Sequence, residues 1–149
     1  MCGDKSRQSL GGALAILSLP FQSTCATSPA MAGRLTFHSQ GKGGSTATHA
    51  TFTADKGSGS GFTDMESCVV GIHETGDLTR SAVISPFLHK FNMSPDVSLL
   101  GCAKRRAMEV ELRRPMKIEV GGDGIIGRRV SVWIARGVDP VAEGIIGYN

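Results

Sequence analysis

The sequence predicts a mainly β fold, either a β-sandwich or a small β-barrel with one short flanking α-helix. The chain has 149 residues, of which 20 are glycine, and only 5% are aromatic. Many glycines between short apolar segments are typical of strands joined by turns, and this composition argues against a helical bundle. A chain of this length usually forms one domain and can bury a sizeable core.

The first thirty residues differ from the rest of the chain and have the layout of a secretory signal. Lys5 and Arg7 precede an apolar stretch over 10–21, and the small residues around Ala30 fit a cleavage site. The apolar stretch is too short to cross a bilayer as a helix, so we expect no membrane span.

This pattern sets the predicted domain boundaries. We assign residues 1–32 to a leader and residues 33–149 to a single β-rich domain. The leader is a removable signal, an extension upstream of a true start at Met31, or an amino-terminal arm. A removable signal predicts a periplasmic location.

Short segments with apolar or alternating side chains predict the strands. Alternation of apolar and charged residues over 108–113 and 116–120 is typical of half-buried strands. Pro86 has no backbone N–H, so the strand before it should end at a sheet edge or a bend. The predicted strands cover 35–38, 47–53, 68–72, 81–88, 108–113, 116–120 and 130–134.

The one predicted helix covers about residues 95–104. Ser94 is a suitable N-cap, Pro95 fits the first helical position, and Asp96 favours the positive amino-terminal end of the helix. Apolar residues within 97–103 give the helix a side that packs against the sheet.

The sequence predicts no catalytic residue, no cofactor and no metal site, and we expect a protein that is not an enzyme. His73 lies beside Glu74 and Asp77, which we interpret as a solvated turn rather than a catalytic cluster. The histidines lack the spacing of zinc ligands. They are His38, His49, His73 and His89.

The charge distribution argues against a nucleic-acid partner. The formal net charge is only +3, and the basic residues are scattered apart from 104–106 and 113–114. Proteins that bind nucleic acids usually carry a longer basic stripe on one face.

Two cysteines lie in the predicted domain. Cys68 belongs to an apolar strand, and Cys102 lies on the apolar side of the predicted helix. In an oxidising compartment they can form a disulfide. The alternative, which we favour, is a pair of buried free thiols that pack as small apolar groups.

The middle of the chain resembles the haemolysin-coregulated protein family. The resemblance starts with the strand-like run 83–90, which ends in Lys90, and continues with Ser94 and Pro95 at the start of a short helix. The alternating segment 108–114 follows. The carboxyl-terminal segment, which ends in Tyr148-Asn149, is similar to the last strand of that family with its final pair of residues reversed.

This resemblance implies a structural protein of the type VI secretion apparatus. Members form stacked six-membered rings that build the inner tube, so the implied partners are copies of the chain itself, a spike protein and effector proteins. The implied location is the cytoplasm during assembly and the outside of the cell after secretion. The residues at the matching family positions are Lys90, Ser94 and Pro95.

A second function class stays open at the level of sequence. The signal-like leader and the Ser-, Thr- and Gly-rich region before residue 62 are also compatible with an exported β-sandwich that binds a ligand or another surface. Such a module would work without forming a ring.

Overall fold

The computed structural model describes residues 11–21, 32–41, 44–55, 67–94, 107–134 and 137–149. Every regular element in these ranges is a β-strand, which confirms the mainly β prediction. The strands are β1 (Ala13–Leu17), β2 (Gly33–His38), β3 (Thr46–Ala54), β4 (Cys68–His73), β5 (Phe87–Met93), β6 (Ala107–Lys117), β7 (Arg129–Ile134) and β8 (Ala142–Tyr148).

The strands form one antiparallel sheet that curls into a nearly closed barrel. Their order is β5-β4-β7-β8-β1-β2-β3-β6. The two edge strands, β5 and β6, lie close together without a ladder of hydrogen bonds between them. We call this gap the seam. The predicted helix over 95–104 lies outside the described residues.

Alternate side chains of the strands fill the barrel interior. Phe37, Phe52, Ile72 and Ile146 are at most 2% exposed and belong to one continuous apolar core. Burying a side chain of this size contributes about 1.5–3 kcal/mol relative to leaving it in water. The core therefore holds the sheet in its curled shape.

The segment assigned to the leader contributes β1 to this sheet. β1 pairs with β2 on one side and β8 on the other, and Ala13, Ala15 and Leu17 are buried. The fold thus begins earlier than the expected boundary near Gly33. Small apolar residues suit a barrel interior as well as a signal, which explains the difference. Processing of residues 1–32 as a leader stays a prediction.

Three of the predicted strands differ clearly from the structure. The predicted strand over 81–88 is mostly a turn, closed by a hydrogen bond from the N–H of Ser85 to the carbonyl of Ala82, and β5 starts only at Phe87 after Pro86. The predicted strand 108–113 and the first two residues of the predicted strand 116–120 form a single strand, β6, which has a bulge opposite Thr48 and ends at Lys117.

Candidate functional site

A cleft of about 740 Å³ lies along the seam between β5 and β6. We call it the seam cleft. In the described part of the chain β5 pairs only with β4, and β6 pairs only with β3. The facing edges of both strands therefore turn backbone N–H and C=O groups toward the cleft. Its lining is Val69, His89, Lys90, Phe91, Asn92, Val110, Glu111, Leu112, Arg113, Arg114 and Met116.

The floor of the seam cleft is apolar. Leu112 and Met116 are buried, while Phe91 and Val110 are partly buried and pack against the core. The ring of Phe91 meets Phe37 edge to face, with centroids 6.4 Å apart. The floor is therefore rigidly supported from inside the barrel.

The rim of the seam cleft is basic. Lys90, Arg113 and Arg114 are exposed, and among the described lining residues they outnumber the one carboxylate, that of Glu111. Lys90 Nζ lies 5.2 Å from the centre of the Phe87 ring, a cation–π contact that holds the ammonium group at the rim.

A bulge in β6 places both arginines. Glu111 pairs with His49 and Met116 pairs with Ala47, so four residues of β6 stand opposite the single residue Thr48. The bulged segment is 112–115 and contains Pro115, which cannot donate to a ladder and is tolerated at edges and bulges. The irregular backbone presents Arg113 and Arg114 together.

His89 brings an unpaired polar atom to the seam cleft. Its Nε2 is buried and has no hydrogen-bond partner within the described ranges. Burial is the main reason why the pKa of His89 is lowered. A hydrogen bond with the backbone of Asp123 raises this pKa, while the positive charges of Arg128 and Arg114 lower it further. The ring is therefore neutral near pH 7, and a buried ring nitrogen without a partner is unusual in a stable fold.

The family-signature positions do not form one site. Lys90 lies in the middle of β5 opposite Gly71, rather than at a strand end, and it lines the seam cleft. Ser94 follows β5 directly and is exposed outside the cleft lining. Pro95 lies outside the described residues.

A second group of polar side chains is buried on the outer face of the sheet. We call it the outer cluster, made of His73, Arg129, Ser131 and Glu143, and the loop over 74–86 contributes backbone carbonyls to it. Each of the four side chains belongs to a residue that is at most 3% exposed. The expectation that His73 lies in a solvated turn is wrong, because the loop folds back over the end of β4.

His73 has a defined tautomer. Its Nδ1 lies 3.2 Å from the carbonyl oxygen of Ser85, which can only accept, so Nδ1 carries the proton. Its Nε2 then accepts from the Ser131 hydroxyl at 2.9 Å. Burial is the main reason why the pKa of His73 is lowered. This serine–histidine pair is sealed from solvent and acts as a structural link.

The ion pair between Arg129 and Glu143 completes the outer cluster. Arg129 Nε lies 3.1 Å from Glu143 Oε2, and both side chains are 3% exposed. Arg129 also donates to the carbonyls of Asp77 and Arg80 at 3.1 and 2.6 Å. Glu143 Oε1 accepts from the N–H of Phe21 at 2.8 Å. The network ties the loop and the end of β1 to β7 and β8.

Of the two cysteines in the predicted domain, the structure describes only Cys68. Cys68 is a buried free thiol, as favoured, and burial raises its pKa to about 11. Cys102 lies outside the described residues.

Within the described ranges, no group of three or more histidine, cysteine or acidic side chains is placed to hold a metal ion. The same ranges contain no helix long and apolar enough to cross a bilayer.

Sequence reasoning missed the seam cleft for a physical reason. The cleft depends on which strands end up as edges, and that is set by pairings between distant parts of the chain. One signal was present: Pro115 interrupts the alternating pattern of β6, and proline in a strand indicates an edge or a bulge.

No protein-family model matches this chain, and no curated protein matches it. The resemblance to the haemolysin-coregulated proteins therefore depends only on the residues that carry it. The geometry of the seam cleft and of the outer cluster provides the independent basis for a functional proposal.

Proposed function

We propose that this protein is a non-enzymatic β-barrel binding module that holds a segment of another polypeptide in the seam cleft. One observation carries the proposal: two strand edges without a described partner strand face each other across an apolar floor and a basic rim. Free strand edges are templates for pairing with another chain.

Strand addition explains how such a cleft binds. An extended segment laid along an edge gains main-chain hydrogen bonds, and its alternate side chains enter pockets or meet the rim. The apolar floor provides the hydrophobic contribution, while the rim selects by charge. The seam cleft supplies the strand edges, the apolar floor and the charged rim in one place.

The chemistry of the histidines supports binding over catalysis. His73 uses both ring nitrogens in the outer cluster, where solvent does not reach it. His89 lines the seam cleft, and among the described lining residues only Glu111 carries a carboxylate. A general base must reach its substrate, but the His73 ring is buried with both nitrogens already hydrogen-bonded, and His89 Nε2 is buried without a described partner.

Selection of random peptides from a display library tests the proposal. Peptides enriched on the natural protein should lose at least about tenfold in affinity for Val110→Trp, because the larger side chain fills the floor of the cleft. The matched control is Ile145→Trp, which adds the same side chain to an exposed position on β8, outside the cleft.

The outcomes separate clearly. Unchanged binding to Ile145→Trp together with loss for Val110→Trp supports the seam cleft as the site, provided that both variants keep the circular dichroism spectrum of the natural protein. Equal binding to both variants, or no enriched peptide, contradicts the proposal.

A ring-forming tube subunit is the second candidate, and one surface feature favours it. The register that pairs Ala15 with Ile146 sets Ile16 opposite Ile145 on the outer face, and these side chains are 57% and 39% exposed. An apolar pair on a barrel surface suits contact with a neighbouring subunit. The resemblance implies copies of the chain as partners, with a spike protein and effectors beyond them.

Native mass spectrometry tests the ring. If the protein forms rings, the observed particle should have several times the monomer mass. The double variant Ile16→Lys, Ile145→Lys should then be a monomer. Val138→Lys, at an exposed apolar position away from this pair, is the control. A monomer at high micromolar concentration would contradict the tube function and leave the binding module in place.

A further inference from the structure

We infer that the seam cleft takes an acidic, extended strand that pairs with β5, so that one face of the bound strand is apolar and the other carries carboxylates. This inference rests on the proposed binding function and adds the chemical class of the partner. It follows from the orientation of the edges, their regularity and the charges around them.

The orientation of β5 and β6 limits how a strand can enter. The sheet is antiparallel throughout and has an even number of strands, so its two edge strands run in opposite directions. A strand that lies along the cleft is therefore antiparallel to one edge and parallel to the other. Antiparallel pairing is slightly more stable per residue, so one edge dominates the hydrogen bonding.

The regularity of the two edges favours β5. The edge of β6 is interrupted by the bulge over 112–115, where the ladder is locally disrupted. On β5 the register with β4 is continuous from His89 to Met93, and the only irregularity lies beside Leu88. Among the described residues that line the cleft, β5 therefore offers a regular segment over 89–92, whereas β6 offers only Val110 and Glu111 before its bulge.

The side chains around the cleft define the two faces of the bound strand. Successive side chains of a strand point to opposite sides. One set would cover the floor formed by Phe91, Leu112 and Met116. The other set would meet Lys90, Arg113 and Arg114, which form the exposed rim.

Charge complementarity then selects acidic side chains. Among the described lining residues three permanent cations face one carboxylate, and the ring of His89 is neutral near pH 7. A strand with glutamate or aspartate at every second position would place carboxylates within reach of two arginines, which bind carboxylates through two parallel hydrogen bonds. The buried Nε2 of His89 gains a partner from the bound strand.

Synthetic peptides of about eight residues, close to the seven of β5, test the inference by fluorescence anisotropy. The first alternates valine and glutamate, the second alternates valine and lysine, and the third has the composition of the first with its valines and glutamates in separate blocks. We expect the first to bind, with at least about tenfold weaker binding of the other two.

Variants of the rim assign the charge effect to this site. The double variant Arg113→Gln, Arg114→Gln should weaken binding of the first peptide about tenfold or more, and added salt should weaken binding to the natural protein. Arg80→Gln is the matched control, because Arg80 is exposed on the loop over 74–86 and does not line the cleft. Hydrogen exchange should show new protection at 89–93.

The results distinguish this inference from the proposed function. Equal binding of all three peptides, with loss for Val110→Trp, overturns the acidic strand and leaves a binding module. Protection over 112–115 without protection over 89–93 overturns pairing with β5. If no peptide binds, or if a second copy of the chain occupies the seam in native mass spectrometry, the acidic partner is excluded.

Discussion

The outer cluster and the seam cleft lie on the same barrel but treat polar groups in opposite ways. In the outer cluster each ring nitrogen of His73 has a partner, and Arg129 and Glu143 satisfy each other and three backbone groups. In the seam cleft His89 Nε2 is buried without a described partner, and in the described lining three cations face one carboxylate.

This contrast separates groups that stabilise the fold from groups that are free to bind. A buried polar network that is fully paired fixes a unique packing, whereas removal of one member leaves a costly unpaired charge. Unpaired edges and exposed cations contribute little to stability and are available to a partner. We therefore expect substitutions in the outer cluster to change the free energy of unfolding and those in the seam cleft to change binding.

The largest expected effect is that of removing β1. A chain that starts at Met31 lacks β1, so β2 and β8 each lose a pairing partner and Glu143 loses the N–H of Phe21. We expect no cooperative thermal transition by circular dichroism. A normal transition in this shortened chain would contradict the position of β1 in the sheet.

Point substitutions in β1 provide the matched control. Leu17→Ala removes a side chain that is 1% exposed and should lower the free energy of unfolding by about 2–5 kcal/mol. Ile16→Ala, at the adjacent exposed position, should change it by less than about 0.5 kcal/mol. Similar effects from both would show that β1 does not alternate between core and surface.

Breaking the buried ion pair should have the next largest effect. Glu143→Ala leaves Arg129 buried without its carboxylate and should lower the free energy of unfolding by about 3–5 kcal/mol in urea titrations. Glu111→Ala removes the carboxylate of the seam cleft and should leave the urea midpoint nearly unchanged. Comparable losses from the two would remove the distinction between the regions.

Gly71 pairs with Lys90 of the seam cleft, and its substitution should give a smaller loss of stability. A β-carbon built at this position would lie 2.3 Å from a ring carbon of Phe87 and 3.0 Å from one of Trp133. Gly71→Ala therefore forces both rings to move and should cost about 1–3 kcal/mol. Gly147→Ala is the control, because nothing lies within 4 Å of its added β-carbon; the two melting temperatures should differ by several degrees.

The smallest expected effect is the acid sensitivity of the two histidines. Burial lowers the pKa of both His73 and His89, so below about pH 6.5 the unfolded chain binds more protons than the folded one. The stability that depends on the two neutral rings is therefore fully present above this pH. It is lost as the pH drops toward the lowered pKa values of the folded state.

Melting temperatures between about pH 8 and pH 5 separate the two histidines. His73→Gln should lower the melting temperature even at pH 8, because it disturbs the hydrogen bonds to Ser85 and Ser131. His89→Gln should lower it less at pH 8, because Nε2 has no described partner to lose, and should reduce its fall in acid. A melting temperature of the natural protein that does not change with pH would contradict a lowered pKa of the two histidines.

Local sequence patterns predicted most strands and little of the candidate site. The apolar runs at 35–38, 68–72 and 130–134 correspond to β2, β4 and β7, because alternation and branched side chains act over a few residues. β1 was assigned to a leader because a short apolar segment with small residues fits both structures.

The two polar regions could not be predicted, because each depends on long-range folding. His73 and Glu74 are adjacent in the sequence, yet His73 is 1% exposed and Glu74 is exposed. The difference arises because the loop over 74–86 covers the side chain of His73 and not that of Glu74. The seam requires that β5 and β6 become the two edges, which no local pattern around Lys90 or Arg113 encodes. Their shared cleft appears only when the sheet curls.

The position of β1 also governs the order in which the molecule can be built during synthesis. β1 can pair with β2 as soon as both have left the ribosome, but its other partner, β8, appears only after the six strands between them. Until then one edge of an apolar strand stays open to wrong partners. Contacts between such distant segments slow folding, so we expect a slow refolding step that coincides with the docking of β8.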